Sequence, residues 1–296
     1  MGIWVDTDMS GDDVFALHLL TRRAEIDGLS LCFGVAPLPQ VRANAAGACA
    51  AFGWEAPLFA GADRAVLGGL ETAERILGPT GIRTRGAALP PAPDRARPGA
   101  AAALAAWLAA QDGAEILALG PLTNLAVLAL ARPELLPRIA RITWMGGGVT
   151  SGNHTASAEF NALADPEALA ILLARGAPIR MIDLDACRRV QIEEADVAAL
   201  PPGLIADLLG GYLDIALERG RPSMALYDPV AAAAHLRPDL FRFRSVRLDA
   251  ELGGLHARGR TVVETRNPET HNAEIAEDLD AEAVKRLCLE ALASAS

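Results

Sequence analysis

Four carboxylates fall within eight residues near the start of the chain, in the run Asp6-Thr7-Asp8-Met9-Ser10-Gly11-Asp12-Asp13. Like charges this close repel by about 4 kcal/mol per pair in a partly dehydrated site, so something must offset them. Three arrangements would do so. Asp12 or Asp13 can cap a following helix, whose dipole favours an acid in its first turn, although capping accounts for one or two acids and not four. A hard divalent cation, calcium or magnesium, suits an all-oxygen donor set, and zinc does not. The run lacks the layout of an EF-hand, so further ligands must then come from distant segments. A covalent aspartate site, with Asp6 as nucleophile and Asp8 as acid, is the third.

A second group of polar residues follows a glycine run, in Met145-Gly146-Gly147-Gly148 and then Gly152-Asn153-His154-Thr155-Ala156-Ser157-Ala158-Glu159-Phe160-Asn161. Two carboxamides and a carboxylate at Asn153, Glu159 and Asn161 offer donors and acceptors suited to hydroxyl groups. A plain polar surface loop is the competing reading.

These residues need elements to hold them. Strands are expected at Ile3–Val5, Leu29–Val35, Leu58–Ala60, Glu115–Leu119, Arg141–Met145 and Ile179–Leu184. Between them helices are expected over Asp12–Arg22, Val41–Phe52, Ala100–Ala110, Leu122–Ala131 and Pro166–Arg175, the last started by the Asp165-Pro166 pair. Such alternation implies an α/β chain with a mostly parallel, Rossmann-like sheet covered by helices on both faces. Pro79–Pro98, with its prolines and no periodicity, reads as a loop that could cover a site. Val190–Gly220 reads as all-helical, Arg244–Leu252 and Thr261–Thr265 as strands joined by glycine turns, and Leu279–Ala293 as a closing helix. No repeat or linker divides the chain, so residues 1–296 are read as one domain. Ligands in such sheets bind beyond the carboxyl ends of the strands, where both polar groups lie.

Composition bounds the partners. With 27 basic and 37 acidic side chains the net charge is −10, which disfavours nucleic acid and anionic membrane. The longest uncharged apolar run, Gly99 to Ala110, falls short of the ~20 residues a bilayer requires. Acids stand where a signal peptide would carry its basic and apolar regions, so a cytoplasmic protein is expected. Cys32, Cys49, Cys187 and Cys288 are scattered and read as buried small hydrophobes, not as zinc ligands or disulfides.

Taken together, D-T-D-x-x-x-D-D near the start, G-P-L-T-N after a central strand, and M-G-G-G…G-N-x5-E-F-N-x-x-x-D-P-E resemble the inosine–uridine-preferring nucleoside hydrolase family. Tyr227-Asp228-Pro229 and Arg258-Gly259-Arg260-Thr261-Val262-Val263 also fit, and the likeness runs in order from residue 3 to the final helix. It implies calcium-dependent hydrolysis of a ribonucleoside to free base and ribose by a homodimer or homotetramer. Carried over position by position, Asp8, Asp13 and Asp228 would hold calcium with the carbonyl of Leu119, Thr123 being the runner-up. Asp8 would be the general base on the metal-bound water. Asp12 and Asn161 would hold the 2′ and 3′ hydroxyls, Asn153 and Glu159 the 5′ hydroxyl, and Met145 would pack on the sugar. Asp6 would support the loop without touching substrate. The D-x-D run alone also resembles the haloacid dehalogenase phosphatases, but those use a basic residue, commonly lysine, and the single lysine here, Lys285, lies in the last helix.

Three positions depart from the family pattern, and all lie away from the ribose. Val35 stands where many relatives have asparagine. Tyr227 and Leu77 replace the two histidines associated with the leaving base. Tyr227 would be a weaker acid at neutral pH, with His154 and Trp144 as other candidate contacts. Ribose and calcium recognition are thus expected to be intact, with the base preference shifted, to a purine or a modified base. A nucleoside-binding protein with little turnover is the rival of a different class.

Overall fold

The computed structural model describes residues 2–294. Its strands in chain order are β1 (Ile3–Thr7), β2 (Ile26–Leu31), β3 (Leu58–Ala60), β4 (Arg97–Pro98), β5 (Ala114–Ala118), β6 (Ile139–Met145), β7 (Ile179–Ile182), β8 (Gln191–Ile192), β9 (Met224–Ala225), β10 (Phe241–Ala250), β11 (Thr261–Glu264) and β12 (Ala273–Leu279). Ten of them form one sheet in the order β11-β10-β12-β7-β6-β5-β1-β2-β3-β4. Everything from β12 to β4 is parallel, and β10 runs antiparallel to both β12 and β11. The expected α/β class, with a mostly parallel sheet between helices, is what forms.

The reason shows in β1. All five of its residues are buried, as a strand covered on both faces requires. Val5 packs into one apolar layer, with helices 11–21, 38–52, 204–217, 228–236 and 281–293. Trp4 faces the other, with helices 100–109, 123–131 and 166–174.

Strand order places the site. From β1 the chain builds outward through β2 and β3, then returns to add β5, β6 and β7 on the other side. The sheet therefore reverses its winding between β1 and β5, and the loops leaving those two strands splay apart and open a crevice. The acidic run leaves β1 and Leu119 follows β5, joined by a bond from Leu119 N to Asp6 O of 2.8 Å.

Several boundaries differ from the sequence reading. The second strand is Ile26–Leu31 instead of Leu29–Val35; Gly28 accommodates the Trp4 ring, whose Cζ3 would lie 2.4 Å from an added Cβ. Pro79–Pro98 ends in β4, which pairs with β3. Val190–Gly220 is interrupted by β8, paired with β9. Leu279 closes strand β12, and the last helix begins at Ala281. The acid-rich sequence of β12 hides it, and pairing with β7 and β10 on either side makes it a strand. All four cysteines are buried and free, as expected. Among the described residues no helix is long and apolar enough to cross a membrane.

Candidate active site

Beyond β1 the backbone turns sharply at Met9, the one non-glycine residue with positive φ among those described (51°). That left-handed residue, costing about 1–3 kcal/mol, doubles the chain back so that Asp8 and the start of helix 11–21 face the same space. Ser10 and Asp13 close the helix start, with Ser10 N donating to Asp13 Oδ2 at 2.8 Å. Thr7 Oγ donates to the other oxygen of Asp13, and Ser10 Oγ to Asp12. Capping thus occupies Asp13, as one reading of the run expected, and leaves the other acids to be explained.

Asp228 arrives from the far end of the chain, in the first turn of helix 228–236, which packs on helix 11–21. Carboxylate oxygens of Asp12, Asp13 and Asp228 lie within 4.8 Å of one another. Asp8 stands beside them with Oδ2 held by Val35 N at 2.7 Å. The family likeness grouped Asp8, not Asp12, with Asp13 and Asp228; here the Val35 amide draws one Asp8 oxygen aside. Gly34 permits this approach, since an added Cβ would lie 2.1 Å from Asp8 Oδ2.

Burial and then the charge of Asp13 push the Asp8 carboxyl well above the usual range. Burial, followed by the charges of Asp12, Asp13 and Asp8, does the same to Asp228. Burial and Asp13 also raise Asp12 to about 6, against the Ser10 hydroxyl. So many buried carboxylates favour a divalent cation, which would stabilise their ionised forms. The all-oxygen donor set fits a hard ion.

The wall opposite comes from the loop after β6. Glu159 caps the short helix Phe160–Ala164 and accepts from Asn161 N (2.8 Å), Ala162 N (2.9 Å) and Gly147 N (2.8 Å). Burial nevertheless raises its carboxyl to about 7. The carboxamide of Asn161 donates to the carbonyls of Leu119 (3.0 Å) and Met145 (3.1 Å), joining the loops of β5 and β6. Asn153 Oδ1 accepts from Phe160 N at 3.0 Å. The glycine run itself is held by Thr261, which exchanges bonds with Gly148 N and O.

One cavity brings Asp8, Asp12, Leu119, Met145, Asn153, Glu159, Asn161, Tyr227 and Asp228 together. Asp13, fully buried, lies directly beneath. Val35, Leu77 and His154 line it too. His154, named on sequence grounds as another candidate contact, bonds Glu71 at 2.8 Å.

Other candidates fall outside. Trp144 is fully buried in the opposite layer with its indole on Gly120 O (3.2 Å), so it is no base contact. Thr123 is committed to Asp165 (2.6 Å), away from the cavity. Asp6 is inaccessible and bonded to Ser30 and Asn124, a support position that leaves the phosphatase reading without a reachable nucleophile. Lys285, paired with Asp196, does not line the cavity either.

Sequence reasoning missed the third wall. Tyr212, Ile215 and Arg219, spaced along one face of helix 204–217 and its end, line the cavity with Met224. Tyr212 donates to Ala225 O (2.8 Å) and reaches Asp12 Oδ2 at 3.4 Å. One signal was available: the chain has two tyrosines, and both stand here.

Across residues 3–286 the chain matches the inosine-uridine preferring nucleoside hydrolase family. It is 34% identical over 218 residues to the pyrimidine-specific ribonucleoside hydrolase RihA of Enterobacter sp. (strain 638), covering 70% of this chain and 69% of that one. Its fold is similar to that of the plant nucleoside hydrolase PpNRh1, with a TM-score of 0.90 at 23% identity over 99% of both chains. A purine-preferring ribonucleoside hydrolase from Gardnerella vaginalis is similar as well, with a TM-score of 0.89 at 22% identity over 99% of this chain and 98% of that one.

Proposed function

The chain belongs to the inosine-uridine preferring nucleoside hydrolase family and is a ribonucleoside hydrolase, and we propose that it works with calcium on purine nucleosides or nucleosides of a modified base. The observation that carries this is the convergence of Asp8, Asp12, Asp13 and Asp228 on one cavity floor, with Asn161 and the Leu119 carbonyl beside them. Asp8, Asp13, Asp228 and the Leu119 carbonyl would hold the ion, with Asp12 within reach of it. When bound, calcium supplies positive charge that keeps these acids ionised and makes water easier to deprotonate.

The side chains then divide the work. Asp8, fixed by the Val35 amide, accepts the proton of the attacking water as it adds to the anomeric carbon, while the base leaves with the electron pair of the glycosidic bond and takes a proton from solvent. Asp12 and Asn161 hold the 2′ and 3′ hydroxyls. Asn153 and Glu159 receive the 5′ hydroxyl, and Met145 packs beneath the sugar. Carboxylates around the ring stabilise the positive charge that develops as the glycosidic bond breaks.

At the base end, Ile76, Leu77 and Ile215 offer apolar surface and Arg219 a guanidinium. Burial pushes Tyr227 up to about 12, which makes it a poor proton donor near neutrality. A bicyclic base with acceptor atoms suits this wall, because arginine pairs well with the O6 and N7 edge of an oxopurine. We further propose assembly as a homodimer or homotetramer, supported by the exposed Leu252, Leu255 and Val262 at the hairpin of β10 and β11.

The test is reducing-sugar release from a panel of purine and pyrimidine nucleosides, with calcium and with excess chelator, alongside Asp8→Asn. Calcium-dependent release, favouring purines and lost in the variant, is expected. Release untouched by chelator would end the calcium assignment, and a preference for uridine would end the assignment of the base.

A further inference from the structure

At the opposite end of the sheet from the acids, the amino ends of β6, β7 and β12 frame a second cavity of about 450 Å³. Its polar lining is Arg141, Arg180, Ser245, His271, Asn272 and Glu274. Both arginines are anchored. Arg141 bonds Glu115, and Arg180 gives Nε and Nη2 to Glu274 Oε2 at 2.8 and 2.6 Å, with its Cζ 3.8 Å from the Phe243 ring centroid. Asn272 is spent on the backbone of Leu248. Arg141 Nε and His271 Nε2 are buried with no partner, and buried nitrogens without partners are uncommon in folded chains.

We propose that this cavity binds a small phosphate monoester of about sugar-phosphate size. Two anchored guanidiniums, an imidazole and the Ser245 hydroxyl form the donor set that phosphate oxygens select. Glu274, the one carboxylate among the lining residues, already faces Arg180. The volume lies within the range that encloses small organic ligands, roughly 300–1,000 Å³, so it holds more than a bare phosphate. The site stands apart from the catalytic cavity and does not depend on the reading of that cavity.

Calorimetric titration of the calcium-loaded protein with inorganic phosphate and with ribose 5-phosphate tests this, each titration repeated with excess free ribose. One site per chain is expected, tighter for ribose 5-phosphate and unaffected by ribose. Ser245 is exposed, so Ser245→Glu folds normally and keeps nucleoside hydrolysis while weakening the sugar phosphate at least about tenfold through like-charge repulsion. His271→Gln is expected to weaken it several-fold. Absence of saturation below ~10 mM, displacement by ribose, equal affinity for the two phosphates, or unaltered binding by Ser245→Glu would each overturn the proposal.

Discussion

The backbone amide of Val35 donates to Asp8 Oδ2 across 2.7 Å, so the end of one strand loop fixes a carboxylate on another. A carboxamide at position 8 keeps an acceptor for that amide but cannot take a proton. Asp8→Asn is therefore expected to fold normally and to lose about 10²–10⁴-fold in kcat, the range for a missing general base. Reducing-sugar release under saturating nucleoside measures it, and a variant within threefold of wild type would remove Asp8 from that role.

Tyr212 links Asp12 to the Ala225 carbonyl. Tyr212→Phe leaves the carbonyl without its donor, which costs about 1–3 kcal/mol of stability. It also frees Asp12, so KM for the nucleoside is expected to rise several-fold with a smaller change in kcat. Thermal unfolding and steady-state kinetics on the same preparation separate the two effects.

Crowded acids give a sign reversal with metal. In excess chelator Asp228→Asn relieves repulsion with Asp12, Asp13 and Asp8, and it is expected to raise Tm by a few degrees, from about 1–2 kcal/mol. With saturating calcium the order inverts, because the wild type gains a ligand-binding contribution that the variant lacks. Equal Tm values in both conditions would count against a shared cation.

Acid sensitivity follows from His18. Its ring lies 5.3 Å from that of Phe52, neither nitrogen has a partner, and burial pushes its pKa down to about 4. An unfolded histidine titrates near 6.5, so between about pH 4 and 6.5 the unfolded chain binds more protons. The His18 contribution to stability is then full above that window and is lost on acidification, by at most about 1.4 kcal/mol per pH unit, whereas Asp12 and Glu159, pushed up to about 6 and about 7 by burial, contribute with the opposite sign over the same range. His18→Phe is expected to remove this contribution, so that the stability difference between wild type and variant changes across the window while the carboxyl contributions cancel. His235, also pushed down to about 4 by burial, keeps its own contribution of the same sign in both proteins. Denaturant midpoints from pH 4 to 7 give both slopes.

Much of this was legible in the residues because the informative groups are local. The acid run, the G-N…E-F-N spacing and the alternation of strands with helices each sit within a few turns of chain, and the sheet places them at its carboxyl ends. What escaped depends on distant partners. Tyr212 carries no motif and acquires its role from Asp12, two hundred positions away. Strand β12 has the composition of a solvated helix and is made a strand by its neighbours on either side. Trp144 stands next to a site residue in sequence, but strand alternation turns it to the other face of the sheet.

The distance along the chain between Asp13 and Asp228 has a consequence during synthesis. While the protein is being made, the first acids emerge long before the helix that completes the cluster, so an unfinished chain carries a set of mutually repelling groups with no high-affinity ion site. On the proposed cation assignment, ion capture becomes favourable only once the last third has been translated and docked. Affinity for the ion is thereby a built-in readout of completion: fragments ending before residue 228 are expected to bind weakly, and the finished enzyme alone receives the added stability.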